Sequence, residues 1–391
     1  MTESIRLAIL GCGAITRSEH IPAVSAHPGV HLVALVDTDL ARANALIQNR
    51  GLSCKAVADY REVLGQVDAV INALPNHLHV SSNTDCLRAG VHVLCEKPLA
   101  ITAAEARSCT EFADEKKLVL AVGMNRRFAA SHPLLKLVIE EGLLGSIQDY
   151  DFQYGGAFDW RSASGFYFDR AKAGGGALVD FGVHMLDSVI DWFGPVSAFD
   201  YQDDDWGSGI EANLFLDVKH AGRFGDDAAI STQPSALTKG IPGHLRISRT
   251  FTLKNRILVR GSAASAEISV QDPEVVVIHR VLGGALVSET LRLENFPGGS
   301  SYWRQLDNFV QSIANRSKPE VDGWQAVRVL ELIENCYAHK QRIAEPWAEV
   351  GAESGADSGT KSGRKSGTTT GTASGTATVT AAVTTNGGAR T

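Results

Sequence analysis

LAILGCGAI, residues 7–15, runs four apolar residues straight into two glycines. This is the pattern of a buried strand feeding a tight turn that opens a helix. Gly11 would permit the turn, and Gly13 would let the backbone approach a pyrophosphate at the helix N-terminus, with Ala14 and Ile15 entering the helix behind it. Thr16 stands where the dinucleotide fingerprint has its third glycine, a position that mainly serves helix–strand packing. Gly-x-Gly alone also marks ordinary strand-to-helix turns. The next apolar run, HLVALVD (31–37), supplies context by ending on Asp37. A carboxylate there accepts hydrogen bonds from the adenosine ribose hydroxyls and repels a 2′-phosphate, and no Lys or Arg follows before Arg42. The pair therefore predicts NAD in preference to NADP. The competing reading is that Asp37 only caps the following helix.

Working outward, residues 6–125 alternate two grammars. LAIL, HLVALVD, DAVINAL, VHVLCEK and LVLAVGM are short and apolar, as parallel strands buried on both faces must be. DLARANALIQNRG, VSSNTDCLRAG and TAAEARSCTEFADEKK between them read as helices. Asp39 and Thr102 are the expected N-caps, and Gly51 and Gly90 the expected stops. Strictly alternating strands and helices predict an α/β fold, a doubly wound parallel sheet of Rossmann type.

After Met124 the pattern changes. A helix near 132–141 ends at Gly142, and eight strand-like segments follow, many alternating and separated by turn residues. They predict a C-terminal α+β domain with a large, open, mostly antiparallel sheet. One helix is expected at about 174–193 and two more near 301–315 and 323–342. Residues 220–244 lack periodicity and read as a long loop. From Gly351 the chain is almost wholly Gly, Ser, Thr and Ala, a composition that cannot bury enough surface to offset chain entropy. The expected divisions are 1–125, 126–347 and a disordered tail over 348–391.

The bulk properties exclude several classes. A net charge of −7 over 391 residues argues against a nucleic-acid partner and against an anionic membrane surface. No apolar run reaches the length of a membrane helix, and MTESIRLAIL lacks a secretory signal. The six cysteines form no C-x-x-C pair and several lie in apolar runs, as reduced thiols of a cytoplasmic protein would. His77-x-His79 has no carboxylate or cysteine cluster beside it, so no metal site is predicted.

Two further motifs carry chemistry. Glu96-Lys97-Pro98 follows a buried strand, at the sheet edge where doubly wound folds bind ligands, and Pro98 suits a cis bond. GGGALVDFGVHMLD (174–187) sets Asp180 and His184 four residues apart, on one face of a regular helix. Imidazole titrates near neutrality and suits removal of a hydroxyl proton. Asp180 would fix its tautomer, with Asp187 a rival partner. A purely structural His–Asp pair and a solvated lysine are the bland alternatives. Gly174, Gly175 and Gly176 would allow close backbone approach to a ligand, or simply pack.

On these residues the chain resembles the glucose–fructose oxidoreductase / inositol dehydrogenase / MocA (Gfo/Idh/MocA) family over roughly residues 5–345. Pro75-Asn76 with His79, and Asn125-Arg126-Arg127-Phe128, also look like family segments. The resemblance implies an NAD(P)-dependent oxidoreductase acting on a sugar, cyclitol or nucleotide-sugar hydroxyl. It implies Lys97, Asp180 and His184 as the catalytic trio, with His184 the acid/base and Lys97 polarising the reacting oxygen. Pro75, Asn76, His79, Glu96, Lys97 and Arg127 would lie near the cofactor. The open sheet commonly makes an oligomer interface in this family, which implies a homo-dimer or homo-tetramer.

GGAFDWRSASGFYFDRAKAGGG (155–176) is the expected substrate wall. Trp160, Phe166, Tyr167 and Phe168 could stack on a sugar or belong to the core, and Arg161, Arg170 and Lys172 could meet a carboxylate or phosphate. An NAD-dependent glycosidase on the same scaffold, or a non-enzymatic NAD sensor, are the alternative activities. Thr16, the 220–244 stretch and the tail depart from the family pattern.

Overall fold

The computed structural model describes residues 4–158, 165–205, 207–221, 240–343 and 378–383. Six short strands form a wholly parallel sheet: β1 (Ile5–Leu10), β2 (Val30–Val36), β3 (Lys55–Val57), β4 (Ala69–Asn72), β5 (His92–Cys95) and β6 (Leu120–Val122). Their spatial order, 3-2-1-4-5-6, reverses direction between β1 and β4 and opens a crevice at the strands' C-terminal ends. Leu7 to Leu10 and all of β4 are buried because helices cover both faces.

The connecting helices begin and end where the local chemistry demands. Asp39 caps α2 (Leu40–Arg50) by accepting from the Arg42 amide, and Gly51 closes it at φ 61°. Thr102 and Glu105 form a reciprocal capping box on α4 (Ala103–Lys116). Between these, α1 (Ile21–Ala26) and α3 (His79–Arg88) complete the winding, and Gly90 takes φ 83° beyond α3.

The second sheet has ten strands. β7 (Ile147–Gly155) lies at its centre, flanked by β10 (Ile241–Ser248) and β11 (Arg256–Gly261). β8 (Val196–Asp203) and β9 (Asn213–His220) extend it on one side, and β12 (Ser265–Ser269), β13 (Val276–Leu282) and β14 (Ala285–Leu293) on the other. Neighbours pair antiparallel except β7 with β10 and the two outermost strands, β15 (Gln341–Arg342) and β16 (Thr378–Val383), which pair parallel with β8 and β14. The expected open, mostly antiparallel sheet is therefore present. α5 (Ser131–Glu140) and, after the single turn α6 (Arg170–Ala173), α7 (Val183–Phe193) pack over it, around Tyr150, Phe152 and Trp192.

Three departures have physical causes. β16 falls inside the stretch read as a structureless tail: TVTAAV carries β-branched residues that suit an edge strand, and the rest of that tail lies outside the described residues. β10 starts at Ile241, inside the expected 220–244 loop, most of which is likewise outside them. The two halves also interleave. α8 (Ser301–Asn315) lays Leu306, Phe309 and Val310 against α1 and the first sheet, and α9 (Gly323–Ala338) packs on α4. No helix among the described residues is long and apolar enough to cross a membrane.

Candidate active site

A cleft of about 1130 Å³ runs along the C-terminal edge of the parallel sheet and ends against α7 and β7. Its far end is built by the glycine turn. Gly11 has φ 91°, and a Cβ there would lie 2.5 Å from the Ala73 carbonyl oxygen, so only glycine fits. A Cβ on Gly13 would meet nothing within 4 Å, which leaves its backbone open to the cleft. Thr16 is more than a packing substitute: its hydroxyl donates to the Gly11 carbonyl at 2.6 Å and ties the turn to the helix behind it. Asp37 accepts from the amides of Cys12 (3.0 Å) and Asp39 (2.9 Å), and Arg42 Nη1 lies 3.1 Å from both its oxygens. An open glycine backbone, a carboxylate at the end of β2 and a cleft of this size fit a dinucleotide. Gly11, Gly13, Ala14, Ile15 and Asp37 would hold it.

The middle of the cleft is lined by Pro75, Asn76, His79, Glu96 and Lys97. Asn76 donates to the Ala173 carbonyl at 2.8 Å and joins the two halves of the chain. The ring nitrogens of the buried His79 lie 2.7 Å from the carbonyl oxygens of Pro98 and Leu74, so this histidine holds the lysine turn to the Leu74-Pro75 loop. Glu96 is buried against His20 (2.9 Å), and the Lys97–Pro98 bond is cis, as the sequence suggested.

At the near end Lys97 Nζ donates to Asp180 Oδ1 at 2.9 Å and to the Asp180 carbonyl at 2.8 Å. Asp180 Oδ2 accepts from Arg249 Nη2 at 2.8 Å. Burial opposes the charge on Asp180, but Lys97 and Arg249 outweigh it and hold the carboxyl below its usual range. Burial likewise opposes the charge on Lys97, and Asp180 outweighs it and raises the lysine pKa. An ammonium has three N–H groups, so one remains for a ligand.

The expected Asp180–His184 pair does not form. Residues Leu178–Gly182 make a π-helical turn ahead of α7, and its wider spacing puts residues four apart out of phase. Nor does Asp187 serve: its carboxylate faces Arg127, 3.8 Å away. His184 lines the cleft with its Nδ1 buried and unpartnered among the described residues. Burial first, then the charges of Lys97 and Arg126, drive its pKa well below the ordinary imidazole value, so it is a neutral base.

Other predicted site residues fall elsewhere. Arg127 is turned away from the cleft, onto Asp191 (2.9 Å), Asp187 and Glu320 (3.5 Å), while its neighbour Arg126 enters the lining. Tyr167 and Phe166 line the cleft, whereas Phe168 is 67% exposed. Arg170 donates to the Gly209 carbonyl and covers the Tyr337 ring, and Lys172 pairs with Asp169 on the surface. Trp160 and Arg161 lie outside the described residues.

The triple glycine serves packing: a Cβ on Gly175 would strike the Tyr337 hydroxyl, and one on Gly176 the Glu211 backbone. Sequence reasoning missed Glu211, whose buried carboxylate accepts from the amides of Gly176 (3.0 Å) and Leu178 (2.7 Å) and caps the π turn. It also missed Arg249, which lies in the strand-like segment HLRISRTFTL with no local signal to set it apart. No group of three or more His, Cys, Asp or Glu among the described residues is placed to hold a metal ion.

Residues 5–124 match a family model described as an oxidoreductase family, NAD-binding Rossmann fold, and residues 136–344 match its C-terminal alpha/beta domain. The chain is 33% identical over 196 residues to D-glucoside 3-dehydrogenase of Escherichia coli (strain K12), covering 49% of this chain and 54% of that one. It thus spans about half the length of the first relatives it matches. With inositol 2-dehydrogenase of Rhizobium meliloti (strain 1021) the identity is 27% over 351 residues, covering 87% and 99% of the two chains. Among solved structures, levoglucosan dehydrogenase in complex with NADH and levoglucosan superposes with a TM-score of 0.73 at 19% identity, covering 86% of this chain and 97% of that one, a likeness of fold.

Proposed function

The chain belongs to the Gfo/Idh/MocA oxidoreductase family, and from that premise we propose that it moves a hydride between NAD and a carbinol carbon of a sugar, cyclitol or nucleotide sugar. The observation that carries this reading is the near end of the cleft. A clamped lysine with one free N–H and a neutral, unpartnered histidine line the same wall.

When bound, the nicotinamide supplies the hydride acceptor. The protein's own groups handle the proton and the charge. His184 takes the hydroxyl proton in the oxidative direction and returns it in reduction. The remaining Lys97 N–H donates to the reacting oxygen and stabilises negative charge developing there. Asp180 orients Lys97 through two acceptors, and Arg249 fixes Asp180 from the other side. Tyr167 and Phe166 wall the space beside them.

Support for NAD over NADP comes from Asp37, and a family relative has been solved with NADH. The six free thiols fit a reducing compartment, and exposed Val281, Leu282 and Leu286 on the β13–β14 hairpin fit a homo-oligomer, dimer or tetramer.

The test is absorbance at 340 nm with NAD and a panel of sugars, cyclitols, uronic acids and nucleotide sugars. A substrate-dependent rise that Lys97→Met reduces by roughly three orders of magnitude, with NADH still bound, is the expected result. Undiminished turnover in that variant would remove Lys97 from the chemistry.

A further inference from the structure

Two adjacent arginines at the start of the C-terminal half meet opposite environments. Arg127 is buried among three carboxylates, those of Asp187, Asp191 and Glu320. Arg126, one residue earlier, is half-buried in the cleft wall, and among the described residues it has no hydrogen bond and no ion pair. Its guanidinium instead lies over the Tyr154 ring, 5.1 Å from the centroid. That contact engages the face of the guanidinium and leaves its N–H edge without a partner among the described residues.

The charge around it is unbalanced. Tyr154 meets Phe181 edge-on at 4.7 Å, and Arg249 lies 5.8 Å from the Phe181 ring, so the two arginines flank one aromatic pair. Lys97 and Arg249 share the single carboxylate of Asp180. Glu96, the other acid here, is turned to His20 and the Lys97 amide. His184 is neutral. Among the described residues Arg126 is therefore the cation at this end with no counter-charge, and a guanidinium cannot shed its proton to escape the cost. Of the three basic residues the sequence offered for such a role, Arg170 and Lys172 are engaged outside the cleft and Arg161 lies outside the described residues.

We propose that Arg126 is an oxyanion-binding residue at the substrate end of the cleft, and that the substrate is a sugar-like polyol bearing a carboxylate or phosphate rather than a neutral sugar. The proposal rests on the reading of this cleft as the sugar site. A planar fork over an aromatic ring is oriented for two parallel N–H···O bonds to either group. The phosphates of a dinucleotide do not supply the missing charge, because their place is the Gly11–Ile15 turn at the other end.

The experiment measures binding to the NADH-loaded protein, by quenching of NADH fluorescence, with D-glucuronate, D-gluconate, glucose 6-phosphate and D-glucose as probes. The wild type is expected to bind at least one anion about 30-fold more tightly than glucose. Whether the sugar acids or the sugar phosphate show the gain identifies the group. Arg126→Met should abolish the gain while keeping its affinity for NADH, and Arg126→Lys should retain part of it.

Glucose binding as tightly as the anions, no anion binding to the wild type, or equal anion binding in Arg126→Met would each overturn the proposal. Loss of NADH affinity in Arg126→Met, with Arg126→Lys normal, would overturn it too, by making Arg126 a cofactor ligand. Turnover with NAD in parallel samples separates the two readings. Arg126-dependent anion binding without turnover of any probe would sustain this proposal and count against hydride transfer. Turnover of glucose that Arg126→Met leaves unchanged would do the reverse.

Discussion

Replacing Asp37 with Ala tests the cofactor reading without any knowledge of the substrate. The carboxylate is buried at the end of β2, and Arg42 Nη1 spans its two oxygens at 3.1 Å each. Ribose hydroxyls donating to a charged acceptor contribute about 1.5–3 kcal/mol, so the variant should bind NADH about 10- to 150-fold more weakly. A 2′-phosphate experiences the opposite effect. At about 4 Å and an effective dielectric of about 20, each unit of its charge is repelled by Asp37 by roughly 4 kcal/mol. The variant removes that repulsion and frees Arg42 Nη1, while Nη2 stays on Asp39 at 3.0 Å, and Arg61 lines the same wall. NADPH affinity should therefore rise as NADH affinity falls, shifting the ratio of the two by at least about 100-fold. Titration of NADH and NADPH fluorescence reads both constants. Asp37→Asn separates charge from shape: its amide oxygen can still accept from Cys12 or Asp39, so it should gain NADPH affinity while losing less for NADH. A wild type that binds the two dinucleotides equally, or an Asp37→Ala ratio within about threefold of wild type, would refute the argument.

Arg249→Met leaves Asp180 held by Lys97 alone. It should lower kcat about 30-fold with NADH affinity unchanged, and Arg249→Lys should recover part of the loss; kcat within a factor of about 2 would dismiss the clamp. Because the pKa of His184 lies well below 6.5, the base form persists as pH falls through 6.5, and the rate of alcohol oxidation should stay flat there. A half-maximal rate near that pH would mean the imidazole is not shielded as described. The two turn glycines should fail differently. Gly11→Ala forces a Cβ onto the Ala73 carbonyl at a left-handed φ and should lower Tm by several degrees, whereas Gly13→Ala should leave Tm alone and weaken NADH binding. Equal thermal losses in the two variants would contradict this assignment.

Five strands of the parallel sheet were legible because each is a continuous apolar run, a signal contained within ten residues; β3 (Lys55–Val57) was not, because its three residues open on a lysine and make no such run. Gly11, Gly13, Asp37 and Lys97 were legible for the same reason: each sits at a strand end, and strand ends define the crevice. Arg249 was not, because its role arises from a contact with Asp180, 69 positions earlier in the chain. The choice between Arg126 and Arg127 turned on one step of a tight 3₁₀ turn over Asn125–Phe128, which no hydrophobic period records. The Asp180–His184 pair does not form because a four-residue spacing brings two side chains together only in a regular helix. The π turn that breaks the regularity is stabilised by Glu211, on a distant loop.

Both walls of the cleft enter their helices through such a turn, Thr16–His20 on one side and Leu178–Gly182 on the other. Each is equivalent to one residue inserted into an otherwise α-helical stretch. Removing a residue from the second would let the helix close into a regular spiral and rotate what precedes it by about 100° relative to α7. Asp180 and His184 would then compete for each other, and Lys97 would lose both of its anchors at once. The separation of clamp and base thus depends on helical phase more than on the identity of any one side chain, so a single-codon deletion there could silence the cleft while every residue that builds it was still encoded.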